Sequence, residues 1–470
     1  MEIKEKKLAK NTIIILVSKI FTQFLSILLL PLLTAVLSTH DYGSFDLITT
    51  YAWFITGFMS LQIENGIFRF IIDSRGKKDE ISTIITSGMF SILISAIIFS
   101  CIYLPIFYLL DVKYYFLIYL YAISTILLNV PLQISRGLGD NVTYAVASIM
   151  TGIINISMSF ITLYVFHLGI KGLVISIVLA NVVGCVFIFI RKKFYLYIKR
   201  KARNKNMSLK ILKYSLPLFP NSISSWIMNI SDKIMISYYI NNSATGLYSV
   251  ATKFPLLLSH LYSVFNLSWS EAASVNVTDA DRNLFFSKSI NRMFIICSSI
   301  CLIVMASMPI IFSIMIDIKF SISYNYVPIL ILASIFELFT ILLGGVYISF
   351  KLSKNIALTT TIASAFNVLI NFIFLRKYGI VVACISTLVS YVILAIIRYI
   401  NIRKYIKLKL NIKYYLIIIL TYLVILPLYY WKNSFISTIL MLLITIIITI
   451  ILNRAIIKQI NNKILKNIKK

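Results

Sequence analysis

Five charged side chains fall inside long apolar runs of this 470-residue chain: Lys19, Asp232, Lys233, Lys253 and Glu337. In hydrocarbon a charge costs at least about 2.5–3.5 kcal/mol, so it normally faces a bundle interior or a watery cavity, where it binds a charged solute, couples an ion or pairs with an opposite charge. At about 1.5 Å per helical residue, Lys253 lies roughly 12 Å from the entry of its run, near mid-depth. Lys19 lies a comparable distance along its own run, and Glu337 is near the middle of another. For Lys19 and Lys253 two readings stand together: capture of an anionic cargo, or pairing with a carboxylate or snorkelling. Glu337 is the first carboxylate candidate for Lys253 by depth. Successive helical residues diverge by about 100°, so Lys233 can line a lumen while Asp232 pairs elsewhere. Glu64 and Arg69 close a further run. Glu64 is a candidate for charge pairing or ion coupling, and Arg69 for substrate contact or plain interfacial anchoring.

Other chemistries find little support. Cys101, Cys185, Cys297, Cys301 and Cys384 all lie in apolar runs without a CxxC pair or a nearby His, so neither zinc nor a disulfide framework is indicated. His40 and His167 fall in connections, and His260, seven residues beyond Lys253, reads as a packed polar residue or a proton relay. No P-loop GxxxxGK[ST] occurs, no connection is long enough for a catalytic domain, and no Asp/Glu cluster suits a metal-dependent glycosyltransferase. The sequence therefore points away from an enzyme and from any cofactor. Pro31, Pro255 and the pair Pro217 and Pro220 mark helix breaks or static kinks.

The elements that must position these charges are membrane helices. Apolar residues make up 59% of the chain against 13% charged, and mean hydropathy is +0.91, which excludes an ordinary soluble domain. Runs near 11–37, 44–68, 82–110, 114–135, 141–166, 170–190, 208–239, 246–270, 289–316, 325–350, 355–375, 379–397, 414–430 and 434–453 predict about fourteen transmembrane helices. The first is too long for a signal-peptide core and reads as a retained span. With the N-terminus inside, 36 Lys and Arg fall in inner segments and six in outer ones, Lys19, Lys233 and Lys253 remaining within spans. The six from Arg398 to Lys413 count as one inner connection. This asymmetry predicts cytoplasmic N- and C-termini. It also accounts for the net charge of +29 without nucleic acid.

The basic stretch from Arg191 to Lys213 separates six spans from the next six. Asp41-Tyr42-Gly43-Ser44-Phe45 is echoed 203 residues later by Ala244-Thr245-Gly246-Leu247-Tyr248, and Leu168-Gly169-Ile170-Lys171-Gly172 more weakly by Tyr378-Gly379-Ile380-Val381-Val382. The expected organisation is a six-helix lobe over 1–200, a second over 201–405 related by a pseudo-two-fold axis along the membrane normal, and two additional helices with a basic tail over 406–470.

Four motifs carry a resemblance. They are LKYSLPLFPNSISSWIMNISDKIMISYYINNSATGLYSVATKF from Leu212 to Phe254, Asp41-Tyr42-Gly43, Gly66-Ile67-Phe68-Arg69-Phe70 and Phe265-Asn266-Leu267-Ser268-Trp269-Ser270. The chain resembles the polysaccharide flippases of bacterial envelope synthesis, the O-antigen and capsule repeat-unit exporters of the multidrug/oligosaccharidyl-lipid/polysaccharide exporter superfamily. The resemblance implies a bacterial inner-membrane protein that moves an undecaprenyl-diphosphate-linked oligosaccharide from the inner to the outer leaflet. Membrane lipids, a polysaccharide polymerase and glycosyltransferases are the implied partners. Lys19, Lys233, Lys253 and Arg69 would contact the diphosphate, with Glu337, Asp232 and Glu64 available for ion coupling or charge pairing. A drug or metabolite cation antiporter of the same superfamily is the alternative, although three of the five mid-span charges are basic. A membrane glycan polymerase or ligase would want a large outer loop bearing Arg and His, which the chain lacks.

Overall fold

The computed structural model describes residues 2–431 and 435–468. It is all-helical among those residues and forms two compact units, Met1–Ile234 and Met235–Lys470. The basic stretch 191–213 falls within the first unit.

The first unit contains α1 (Glu2–Val36), α2 (Thr39–Ser60), α3 (Ile63–Asp73), α4 (Lys78–Leu109), α5 (Tyr115–Gly137), α6 (Asn141–Phe160), α7 (Gly169–Arg191), α8 (Lys205–Ser215) and most of α9 (Phe219–Tyr239). Helix α1 packs on α6, α6 on α7, and α5 on both α2 and α7. Ser38 caps α2 reciprocally: its hydroxyl accepts from the Asp41 N–H at 3.0 Å and donates to the Asp41 carboxylate at 2.8 Å. The run expected at 44–68 is not one helix. Leu61 and Gln62 both adopt left-handed backbone (φ 48° and 60°), ending α2 and starting α3 in a new direction. The run expected at 208–239 is likewise broken. Pro217 sits in a short 3₁₀ turn between α8 and α9, where its missing N–H and fixed φ disfavour a continuous α-helix. Helix α8 lies close against α3, because a Cβ at Gly66 would come within 2.5 Å of the Ser215 hydroxyl and 2.9 Å of the Ile211 side chain.

After α7 the chain crosses the start of α4. The hydroxyls of Ser82 and Thr86 donate to the Tyr197 carbonyl at 2.5 and 3.2 Å, Thr86 accepts from the Lys199 N–H, and Ser87 accepts from the Asn204 N–H at 2.9 Å.

The second unit contains α10 (Asn242–Val275), α11 (Arg282–Met315), α12 (Val327–Ser349), α13 (Ser353–Tyr378), α14 (Ile380–Ile402), α15 (Ile412–Tyr430) and α16 (Phe435–Ile468). Helix α12 is its centre, packed on α10, α11 and α14. Trp269 of α10 seals the α10–α12 contact: its indole donates to the Leu342 carbonyl at 2.8 Å and occupies the space that a Cβ on Gly345 would need. Helices α15 and α16 pack on α11. The two tyrosines 324 and 429 exchange hydroxyl-to-carbonyl hydrogen bonds at 3.1 and 2.9 Å, tying the end of α15 to the turn before α12. After α14 the extended segment 407–411 lies along the start of α11. The N–H groups of Lys407, Lys409 and Asn411 donate to the side chains of Asn283, Ser287 and Asn291, each at 3.0 Å. The match is geometric: four helical residues rise about 6 Å, and two extended residues span about 6.6 Å.

Among the described residues, eleven helical segments are long and apolar enough to cross a membrane. The other runs expected to span correspond to α2–α3, α8–α9 and α10, which are helical but richer in polar side chains. Those are the helices that carry Asp46, Asp232, Lys233 and Lys253.

Candidate functional site

In the first unit the site is built on α2 and α9. Residues Tyr42 to Ile48 of α2 are all buried, Asp46 among them at 6% exposure. A carboxylate so placed is tolerated only with a partner of opposite charge or good hydrogen bonds. Lys233 of α9 supplies its ammonium at 2.7 Å, with side-chain exposures of 13% for the lysine and 7% for the aspartate. The phenols of Tyr42 and Tyr121 lie within electrostatic reach of the same carboxylate. Lys233 is thus held by Asp46, while Asp232, one position earlier, is itself buried.

Lys19 lies on an exposed face of α1 with Val17, Ile20 and Phe21. It makes no ion pair among the described residues, and its ammonium feels the guanidinium of Arg136 at the end of α5. Arg136 is wedged between aromatic rings, 4.8 Å from the Phe68 centroid and 5.5 Å from that of Tyr144. Arg69 does not join this group. It pairs with Asp73 one turn on, at 2.6 Å, both side chains about half exposed (47% and 56%), as a surface i,i+4 bridge. One carboxylate oxygen of Glu64 is buried without a hydrogen-bond partner among the described residues.

The second unit holds its charges differently. Lys253 of α10, two residues before Pro255, is half-buried and has no ion pair or hydrogen-bonded partner among the described residues. Glu337 of α12 is not that partner. Its carboxylate accepts from Ser259 of α10 at 2.5 Å and from the Tyr391 hydroxyl of α14. Ser259 lies one turn beyond Pro255, and the same hydroxyl is 3.2 Å from the Pro255 carbonyl. Two turns past Tyr391, Arg398 is buried at 6% exposure, although its sequence neighbourhood placed it in an inner connection. Its guanidinium donates to the Thr340 carbonyl at 2.7 Å, the Thr360 hydroxyl at 3.0 Å and the Thr359 hydroxyl at 3.3 Å. Thr340 is one turn from Glu337, so acid and guanidinium belong to one polar chain across α10, α12, α13 and α14. His260 points from an exposed position of α10.

Sequence reasoning missed Asp46, Arg136, Ser259 and Arg398 as members of these groups. Asp46 stands near the edge of its apolar run and Arg398 one residue past the end of another, where charges ordinarily mark interfaces. The available signal for Arg398 was the hydroxyl pair Thr359 and Thr360, which accept from it.

A family model described as "Polysaccharide biosynthesis protein" matches residues 8–270. The chain belongs to this family. The match runs from the second turn of α1 through most of α10, and so covers every first-unit residue of the site and Lys253. No curated protein sequence matches the chain. Among solved structures, the fold resembles that of a lipid II flippase MurJ in an inward closed conformation, with TM-score 0.69, 18% identity, and coverage of 96% of this chain and 99% of that one. It also resembles an inward-facing multidrug resistance MATE family transporter of the MOP superfamily, with TM-score 0.66, 14% identity, and coverage of 84% and 98%. A third likeness is a MOP superfamily transporter from Pyrococcus furiosus Vc1 described as having reverse polarity of its binding pocket, with TM-score 0.59, 14% identity, and coverage of 84% and 96%.

Proposed function

We propose that this member of the polysaccharide biosynthesis family is a flippase that carries undecaprenyl-diphosphate-linked oligosaccharide repeat units from the inner to the outer leaflet of the bacterial inner membrane by alternating access. The observation that carries the reading is that Lys19 and Lys253, both inside helices of a membrane protein, have no counter-charge among the described residues. Cations at such depth require an anion or water, and a diphosphate supplies the anion. The sugar occupies the wet interior and the polyprenyl chain stays in lipid. The membrane potential assists, since moving an anion outward from a negative interior gains about 2.3 kcal/mol per charge per 100 mV. Lys233 serves in a second role: Asp46 neutralises it at rest, and the diphosphate competes with that carboxylate during transport. The family name and the MurJ-like fold support this reading.

One observation favours cation antiport instead. Glu337 is a carboxylate held by hydroxyl donors and by no cation among the described residues, as a proton or sodium site would be. In the flippase this group couples the ion that resets the cycle. Proteoliposomes separate the two readings. The flippase moves a polyprenyl-diphosphate oligosaccharide between leaflets and does not expel a lipophilic cationic dye, and Glu337→Gln slows the former and abolishes its dependence on an imposed proton or sodium gradient. Dye efflux without lipid movement would overturn the proposal.

A further inference from the structure

The segment that leaves α14 borders a second, separate feature. Between the starts of α11 and α15 and residue Leu452 of α16 lies a cavity of about 780 Å³. Four cations line it, Lys288 and Arg292 from α11 and Lys409 and Lys413 from the pinned segment and α15, with no carboxylate among the lining residues. None of the four has an ion-pair partner among the described residues. Like charges gathered around one cavity repel, and an anion relieves the repulsion.

The wall is fixed rather than a spread of loose surface lysines. Asn291 clamps the segment from both sides of its amide, donating to the Lys409 carbonyl at 3.0 Å and accepting from the Asn411 N–H at 3.0 Å. The cavity sits where the membrane spans Ile412–Tyr430 and Phe435–Arg454 begin and end. Its cations therefore lie at headgroup level, and its apolar lining includes Leu284, Ile295, Leu452 and the exposed Ile412. Cations above hydrocarbon wall match the phosphate and acyl chains of a lipid. A basic pocket between helices at a membrane surface is a physical basis for holding such a headgroup.

We propose that this cavity binds the phosphate of an anionic membrane phospholipid, with the acyl chains lying along α15 and α16. The site is independent of Lys19, Lys233 and Lys253. The test uses the purified full-length protein in zwitterionic nanodiscs doped with phosphatidylglycerol, with retained lipid measured by native mass spectrometry. Lys409→Gln/Lys413→Gln should weaken phosphatidylglycerol retention about fivefold per cation removed, and Lys409→Arg/Lys413→Arg should keep most of it. Lys288→Gln/Arg292→Gln, on the opposite wall, should reproduce the loss. Lys199→Gln/Lys201→Gln, on the corresponding segment of the first unit, should leave retention unchanged. Millimolar inorganic phosphate should displace little of the lipid, because it lacks the acyl contacts. Equal retention by the Gln variants, equal retention of phosphatidylcholine, or displacement by phosphate at concentrations no higher than those of the lipid would overturn the proposal.

Discussion

The two units use the same device to hold the chain that leaves α7 in one and α14 in the other. In the first, Ser82, Thr86 and Ser87 of α4 receive the segment around Tyr197 to Asn204. In the second, Asn283, Ser287 and Asn291 of α11 receive residues 407–411. The cavities beside these segments differ in chemistry. The first unit's, about 620 Å³, is lined almost wholly by apolar side chains of α4, α5 and α7, whereas the second unit's is ringed by cations. The interior charges also differ. The first unit neutralises Lys233 with a buried carboxylate, while the second, among the described residues, holds Glu337 and Arg398 by hydrogen bonds and gives Lys253 no partner. Backbone scaffolding and charge chemistry have thus been set separately in each unit, and a substitution should act differently according to which arrangement it disturbs.

The largest effect is expected in the first unit. Lys233→Ala removes the ammonium that Asp46 holds at 2.7 Å from a buried site, a loss of about 3–5 kcal/mol, so the amount of folded protein in the membrane should fall sharply. Lys233→Ala/Asp46→Asn should restore abundance, because neither charge remains. Membrane abundance by immunoblot and thermal melting in detergent read both outcomes. If the double variant is no better than the single, the pair is not the reason for the loss.

A smaller effect is expected at Arg398, because its acceptors among the described residues, a carbonyl and two hydroxyls, are neutral. Arg398→Met deletes three hydrogen bonds and should lower thermal stability by about 2 kcal/mol. Arg398→Lys should recover only part of it, since an ammonium cannot reproduce the guanidinium fork toward Thr340, Thr359 and Thr360. A melting temperature unchanged in Arg398→Met would contradict the account of the second unit. The smallest effect belongs to Arg69→Ala, which breaks an exposed bridge worth at most about 1 kcal/mol; abundance and export should stay close to wild type, more so at high salt.

The all-helical membrane architecture was legible because apolar runs of spanning length are a local property of the sequence. The break at Pro217 was legible too, since proline announces its own effect. The break at Leu61–Gln62 was not, because neither residue favours left-handed backbone and only the surrounding packing imposes it. Lys19, Lys233, Lys253 and Glu337 stood out as charges in apolar runs, but their partners did not. Asp46 is far from Lys233 in sequence, and Ser259 is an ordinary serine until the α10–α12 packing brings it to Glu337. Depth along a helix suggested Glu337 for Lys253. Depth alone says nothing about azimuth, and the carboxylate turns to Ser259 and Tyr391 instead.

Lys253 has no counter-charge among the described residues, and we propose that an anionic cargo supplies one. Export of lipid-linked oligosaccharide, measured together with membrane abundance for Lys253→Ala and Lys253→Arg, tests it directly. Lys253→Ala should lose a charge-assisted contact of about 1.5–3 kcal/mol, lowering export about tenfold or more at normal abundance, and Lys253→Arg should retain much of the activity. Normal export by Lys253→Ala at normal abundance would contradict the claim, and so would an abundance loss that Glu337→Gln repairs.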